Sequence, residues 1–327
     1  MIDPVELRHC LAPAKLNLLL HVLGQRDDGY HEIETVFDLI DLQDSMHFSI
    51  RSDGAIMRRG GLHGLAHDTD LSVRAARMLA AASETRLGAD IEILKRIPAG
   101  GGLGGGSSNA ATTLLALNRL WGIHWPLARL SRLALQLGAD VPVFIQGTAA
   151  LAAGIGEKLT PLALPAQWYV LLAPSVVVPT TEIFSAPELT RDSKPLKISP
   201  LSRQNIGEAG RNDLEPVACG RYPAVQQALV ALTQAARQVL KSSQGSGRSR
   251  ENGGSGSHSE QDPGLPWPSA RMSGSGGCVF YPAPDLDSAN RIAERVGKSN
   301  TGKVHVVRSL SEHPMRTWAF AKGLARR

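Results

Sequence analysis

The stretch PAGGGLGGGSSNAA, residues 98–111, sets six glycines in seven positions and follows them with Ser107 and Ser108. Without Cβ atoms, consecutive peptide N–H groups can turn inward onto an anion. The chemistry indicated is phosphate binding. The stretch is not a P-loop, because no lysine follows the last glycine. Gly100, Gly102 and Gly105 satisfy G-x-G-x-x-G, but such a match inside a glycine run is nearly automatic. Two further glycine-rich segments, 271–282 with Ser273, Gly274 and Gly276, and 146–157 with Gly154 and Gly156, each read alone as turns.

The flanking elements decide what such a loop is for. DIEILKRIP (90–98) reads as a strand with Ile91, Ile93 and Lys95 on one face, ended by Pro98. After the loop, Ala110, Ala111, Leu114, Leu117 and Trp121 recur at helical spacing over 107–121, with Ser107 or Ser108 as N-cap and Gly122 past the end. Residues 126–138 form a second amphipathic helix between Pro126 and Gly138. A strand, a glycine loop and a helix in that order are what anion binding at a helix N-terminus requires. A dinucleotide-binding oxidoreductase instead needs a strand ending in Asp or Glu roughly 20 residues after the glycines. Two successive helices occupy that place here.

Elsewhere, AKLNLLLHVLG (14–24) reads as a buried strand, and a second strand runs around Ile33–Leu39 after a D-D-G turn. The second half shows strands around 168–173, 277–281 and 303–308 and a helix over Pro223–Leu240. The fold class is α+β. The shift in composition near 155–167 places a boundary between an N-terminal domain, 1–160, and a C-terminal α+β domain, 161–327. Residues 241–268 are dominated by Ser, Gly and polar residues with balanced charge and read as a mobile, inert insertion.

The chain has 327 residues, 43% of them apolar and 20% charged, which suits about two soluble domains. Three cysteines, Cys10, Cys219 and Cys278, without a CxxC pair argue against a disulfide framework or a zinc site and fit a reducing compartment. The longest apolar stretch is broken by Pro174, and the N-terminus lacks the basic-then-apolar pattern of a signal peptide. A cytoplasmic protein is expected. The net charge of +5 comes without basic clusters interleaved with aromatics, so neither nucleic acid nor membrane is expected as partner. Anionic small molecules suit it equally well.

Six blocks taken together, APAKLNLLLHVLGQRDDGYHEIETVF, IPAGGGLGGGSSNAATTLLALN, LGADVPVFIQGTAALAAGIGE, PTTEIF, RNDLEP and ARMSGSGGCVF, resemble in order and over nearly the whole chain the kinases of the GHMP superfamily. The N-terminal block and Asn109 narrow the resemblance to the branch acting on a cytidine-diphosphate-linked polyol in isoprenoid-precursor synthesis. The resemblance implies a two-domain GHMP-kinase-like α+β fold with ATP and substrate in the interdomain cleft, and Mg2+ accompanying the ATP. It implies ATP binding by Pro98, Ala99, Gly100, Gly101, Gly102, Leu103, Gly104, Gly105, Gly106, Ser107 and Ser108; Lys95, by strand spacing, points toward this loop and is a candidate nucleotide contact. It implies catalysis by Lys15 and Asp140, and a substrate site of Asn17, Tyr30, His31, Thr180 and Phe184, to which Ser273 and Gly274 are added. The region 241–268 departs from the family, where it is short.

Physical chemistry gives each implied role a reason. Phosphoryl transfer needs positioning, charge neutralisation and an acceptor for the hydroxyl proton. Asp140, two residues before Pro142, reads from residue type alone as a helix cap; the matched GADVP block makes it the proton acceptor. Three roles are open to Lys15: lowering the hydroxyl's pKa, holding Asp140 ionised, or stabilising the transferring group. Tyr30 and Phe184 can stack on a cytosine ring, and His31 can offer its edge both bond types only as a neutral imidazole with neighbouring atoms. No dedicated carboxylate pair awaits magnesium; Glu157 and Asp140 are available, and none is assigned. The rivals are another GHMP kinase with a mevalonate-like or homoserine-like substrate, and a non-catalytic nucleotide-binding protein.

Overall fold

The computed structural model describes residues 5–196, 202–245 and 267–316. Most of the polar insertion, 246–266, lies outside them.

Two long strands open the chain, β1 (Glu6–Gln25) and β2 (His31–Arg51), paired antiparallel. Both outrun the sequence reading. Pro13 does not end β1, because the register shifts between Pro13 and Ala14 and the strand continues past the irregularity. Residues 12–22 are buried on both faces, so they read as one apolar run instead of an alternation. Within that run Lys15 and Asn17 share the face opposite Ala14, Leu16 and Leu18, by the two-residue period of a strand.

The chain continues through β3 (Ile56–Gly60), helix α1 (Leu71–Ser83) and β4 (Gly88–Leu94). Helices α2 (Gly105–Leu120), α3 (Leu127–Leu135) and α4 (Val141–Gln146) follow, then β5 (Ala150–Ala153) and β6 (Lys158–Pro161). Among the described residues these strands form one six-stranded sheet in the order β3-β4-β2-β5-β6, with β1 added on β2. Helices follow α2 where an oxidoreductase would need a strand. Central to this layer is α2, which is buried from Ser108 to Asn118 on every side, Thr112 and Thr113 included; Asn118 and both threonines satisfy their polar groups on main-chain atoms or on His313.

The second layer begins with β7 (Trp168–Ala173), α5 (Thr180–Phe184), α6 (Arg203–Ala209), α7 (Glu215–Arg221) and the long α8 (Pro223–Gly245). It closes with β8 (Arg271–Met272), β9 (Val279–Ala283), α9 (Leu286–Gly297) and β10 (Lys303–Arg308). Its strands form an antiparallel sheet in the order β10-β7-β9-β8. The strands at 168–173 and 303–308 lie where the sequence reading put them; α9 and the short helices were not read.

Two apolar cores result, and both ends of the chain visit each. Cys10 and Ala12 pack with α1–α4, whereas Ala14, Leu16 and Leu18 of the same strand pack with β7, β9, α8 and α9. After β10 the chain returns to the first layer: Leu310 N–H donates to Leu39 O at 2.8 Å, His313 N–H to Gly147 O at 2.7 Å, and Met315 enters the first core. Buried Asp38 of β2 accepts from Tyr169 Oη of β7 and from Arg203 Nη1 of α6, each at 2.8 Å, clasping the layers. No helix of the described residues is long and apolar enough to cross a membrane.

Candidate active site

A cavity of about 640 Å³ opens between the layers. Lys15 stands at its floor, 2% exposed. Its ammonium donates to Asn17 Oδ1 and, at 2.8 Å, to Gly102 O, and lies 3.6 Å from Asp140 Oδ2. Burial pulls the Lys15 pKa below the ordinary lysine value, and the charge of Asp140 opposes that pull.

Asp140 precedes α4 but does not cap it. Its backbone is helical, φ −82° and ψ −10°, where an N-cap needs extended geometry, and its side chain makes no capping bond. The carboxylate is thereby left for Lys15 and the cavity. This removes the cap reading suggested by Pro142.

The glycine loop is anchored on three sides. Buried Asp44 of β2 accepts from the N–H groups of Arg96 and Ile97 at 2.7 and 3.0 Å, from Asn109 Nδ2 at 2.9 Å, and from Lys95 Nζ. Lys15 N–H donates to Leu103 O at 3.0 Å. Gly277 and Cys278 donate main-chain N–H to Gly100 O and Gly101 O, each at 3.3 Å. The closest approach is at Gly102, φ +74°, where a Cβ would stand 1.9 Å from Ser273 O.

Two expectations need correction here. The strand ends at Leu94, so Lys95 is not on its face; its ammonium is engaged by Asp44 and by Asn109 Oδ1 at 3.0 Å. Neither Ser107 nor Ser108 is an N-cap. Gly104 takes that position at φ +70°, α2 starts at Gly105, and both serines fall in its first turn. The first helical N–H to find a main-chain partner is that of Ser108, on Gly104 O at 2.8 Å, so the amides of Gly105, Gly106 and Ser107 precede the ladder. Ser108 is fully buried with its hydroxyl unpartnered.

Of the residues singled out for phosphate, Gly102, Gly104 and Ser107 line the cavity, while Pro98, Ala99 and Gly100 lie on a more exposed shoulder. Gly101, Leu103, Gly105, Gly106 and Ser108 do not line it. Of the residues singled out for substrate, Asn17, Tyr30, His31, Thr180, Phe184 and Gly274 all line it. Ser273 does not: buried, its hydroxyl accepts from Asn17 N–H and donates to Gly102 O, both at 3.2 Å. Thr180 meets Ser275 at 2.7 Å, tying α5 to that segment. Tyr30 is 59% exposed at the rim. The His31 and Phe184 rings lie 5.1 Å apart, tilted by 42°. Burial first, then the charge of Arg191, lower the His31 pKa, favouring neutral imidazole. Asp44 and Arg191 were missed by sequence reasoning.

Residues 70–148 match the family described as GHMP kinases N terminal domain, and residues 268–301 match GHMP kinases C terminal. The 4-diphosphocytidyl-2-C-methyl-D-erythritol kinase of Cupriavidus metallidurans is 47% identical over 97% of this chain and 98% of its own. The chain belongs to the 4-diphosphocytidyl-2-C-methyl-D-erythritol kinase family, a branch of the GHMP kinases. A crystal structure of a 4-(cytidine 5′-diphospho)-2C-methyl-D-erythritol kinase, 32% identical, superposes with a TM-score of 0.69 over 93% of this chain and 98% of that one. A mevalonate kinase of L. major superposes with a TM-score of 0.61 over 95% and 99%, but at 14% identity it shares the GHMP fold alone.

Proposed function

We propose that this member of the kinase family transfers the γ-phosphoryl group of ATP to the 2-hydroxyl of 4-diphosphocytidyl-2-C-methyl-D-erythritol, in the non-mevalonate route to isoprenoids. The observation that carries the reading is the Lys15–Asp140 pair, 3.6 Å apart, in a cavity that also holds the glycine loop and the His31–Phe184 pair. Family membership at 47% identity favours this substrate over the mevalonate-like and homoserine-like alternatives.

In this reading Asp140 takes the hydroxyl proton as the oxygen attacks the γ-phosphorus and the bond to ADP breaks. Lys15, fixed by Asn17 and Gly102 and 3.6 Å from Asp140, offers positive charge to the phosphoryl oxygens. The Ser107 amide, which precedes the ladder at the start of α2 and lies on the cavity, and the positive end of the helix dipole favour an anionic phosphate there. His31, Tyr30 and Phe184 hold the cytosine.

Magnesium travels with ATP and keeps most of its ligands as phosphate oxygens and water, so one or two protein oxygens suffice. Asp140 and Ser107 line the cavity and fit that demand. Glu157 does not, since it is turned onto Ile155 N–H at 2.6 Å. When bound, the ion neutralises phosphate charge.

A coupled ADP-release assay on polyols with and without the cytidine diphosphate group tests the reading. ADP release confined to the cytidylated compound is the expected result, and release with mevalonate or homoserine instead overturns it. Asp140→Ala is expected to abolish turnover while ATP still binds; residual activity above roughly a tenth of the parent makes Asp140 a positioning group.

A further inference from the structure

The cytosine end of the cavity contains a contact that the roles assigned so far leave unused. Arg191 donates Nε–H to His31 Nε2 at 3.0 Å. A guanidinium has five donors and no acceptor. His31 Nε2 is therefore an unprotonated acceptor, and a neutral ring must carry its proton on Nδ1. Among the described residues Nδ1 has no hydrogen-bond partner and is not sealed from solvent, and the ring lines the cavity. The ring thus presents one donor to whatever enters.

Arg191 is itself immobilised. Its Nη1 donates to Leu189 O at 3.1 Å, and its Nη2 donates to Phe184 O and Ala186 O at 3.0 and 2.8 Å. All three carbonyls belong to the last residue of α5 or the turn after it. The planar fork, with its donors fixed in direction, cannot rotate to accept a proton-bearing Nε2.

We propose that Arg191 is the positioning residue for base selectivity: by holding His31 as an Nδ1–H donor, it makes the site accept the N3 acceptor of cytosine and refuse the N3–H of uracil. The inference deepens the kinase reading and rests on its assignment of the cytosine subsite. A donor facing a donor leaves both unsatisfied, so exchanging the base is expected to weaken binding at least about tenfold.

The test uses the full chain, with cytidine 5′-diphosphate and uridine 5′-diphosphate as probes. In 15N-histidine spectra at neutral pH, the His31 signals, identified by their loss in His31→Asn, are expected to show protonated Nδ1 and unprotonated Nε2. Nδ1 is expected to shift on adding the cytidine compound only. In Arg191→Met the nitrogens are expected to move toward the tautomer mixture of free imidazole, and the ratio of the two Kd values to fall at least about tenfold. Asparagine has no ring tautomer for Arg191 to set, so Arg191→Met in the His31→Asn background is expected to leave the ratio unchanged. A merely structural arginine would lower it in both backgrounds, which overturns the proposal. So does a parent spectrum showing Nε2–H or imidazolium, a reading available even where Arg191→Met fails to fold. Equal affinity of the parent for both nucleotides also overturns it, while the ADP-release assay judges the kinase reading separately.

Discussion

Gly102→Ala and Gly106→Ala make the same change within one glycine run, the first in the loop and the second in the first turn of α2, and are expected to have opposite outcomes. At Gly102 the backbone sits at φ +74°, which costs a residue with a Cβ about 1–2 kcal/mol. The new Cβ would also stand 1.9 Å from Ser273 O and 2.8 Å from Gly276 N. Both neighbours are main chain, so the overlap is relieved only by moving one loop off the other, at a further cost of about 1–3 kcal/mol. The expected loss is therefore about 2–5 kcal/mol of stability. Turnover is expected to fall as well, because Gly102 O is the acceptor that holds Lys15 Nζ at 2.8 Å. A displacement of an ångström there is worth roughly 100-fold in kcat. At Gly106, by contrast, the nearest atom to a new Cβ is Leu71 Cδ1 at 3.6 Å, and the position is helical, so alanine is expected to stabilise by up to about 1 kcal/mol. Urea unfolding and coupled ADP release on the parent and both variants measure the contrast. An unfolding free energy for Gly102→Ala within about 0.5 kcal/mol of the parent, with unchanged kcat, refutes the argument that this contact shapes the site.

Asp44→Asn sets an amide against the Arg96 and Ile97 N–H groups, Asn109 and Lys95. It is expected to destabilise the fold by about 3 kcal/mol and to raise the KM for ATP, both read from the same two assays. Buried His313 accepts from Met315 N–H at 3.0 Å through Nδ1 and faces Thr112 Oγ1 at 3.3 Å through Nε2, and burial pushes its pKa down to about 3. The unfolded chain takes up that proton first, so the stability is complete above the ordinary histidine range and drains as the pH falls toward 3. Unfolding free energy is expected to drop by about 1 kcal/mol per pH unit below roughly 6.5, with a flatter slope in His313→Leu.

What the sequence made legible was local. Glycine density and the helical spacing in α2 are carried by neighbouring residues, and α2, β7 and β10 lie about where they were expected. The errors arose where geometry overrode residue type. Gly104 starts α2 through a left-handed turn, which leaves Ser107 and Ser108 inside the helix although serine is the better cap. Asp140 has helical backbone angles and so cannot do what an aspartate before a proline usually does. Asp44 and Arg191 gave no signal at all, because their partners lie far along the chain: 52 residues from Asp44 to Arg96 and 160 from Arg191 to His31. An acid or an arginine becomes informative only once folding has chosen its neighbour.

The sharing of β1 between both interiors, with the return of residues 309–315 to the first, constrains how such a chain can be altered. Severing it near residue 160 leaves neither piece able to close around its own apolar side chains. Hybrids assembled from the halves of two relatives inherit a seam along residues 12–18, where side chains evolved against one partner meet those of another. Recombination that respects the molecule must carry its beginning and its end together.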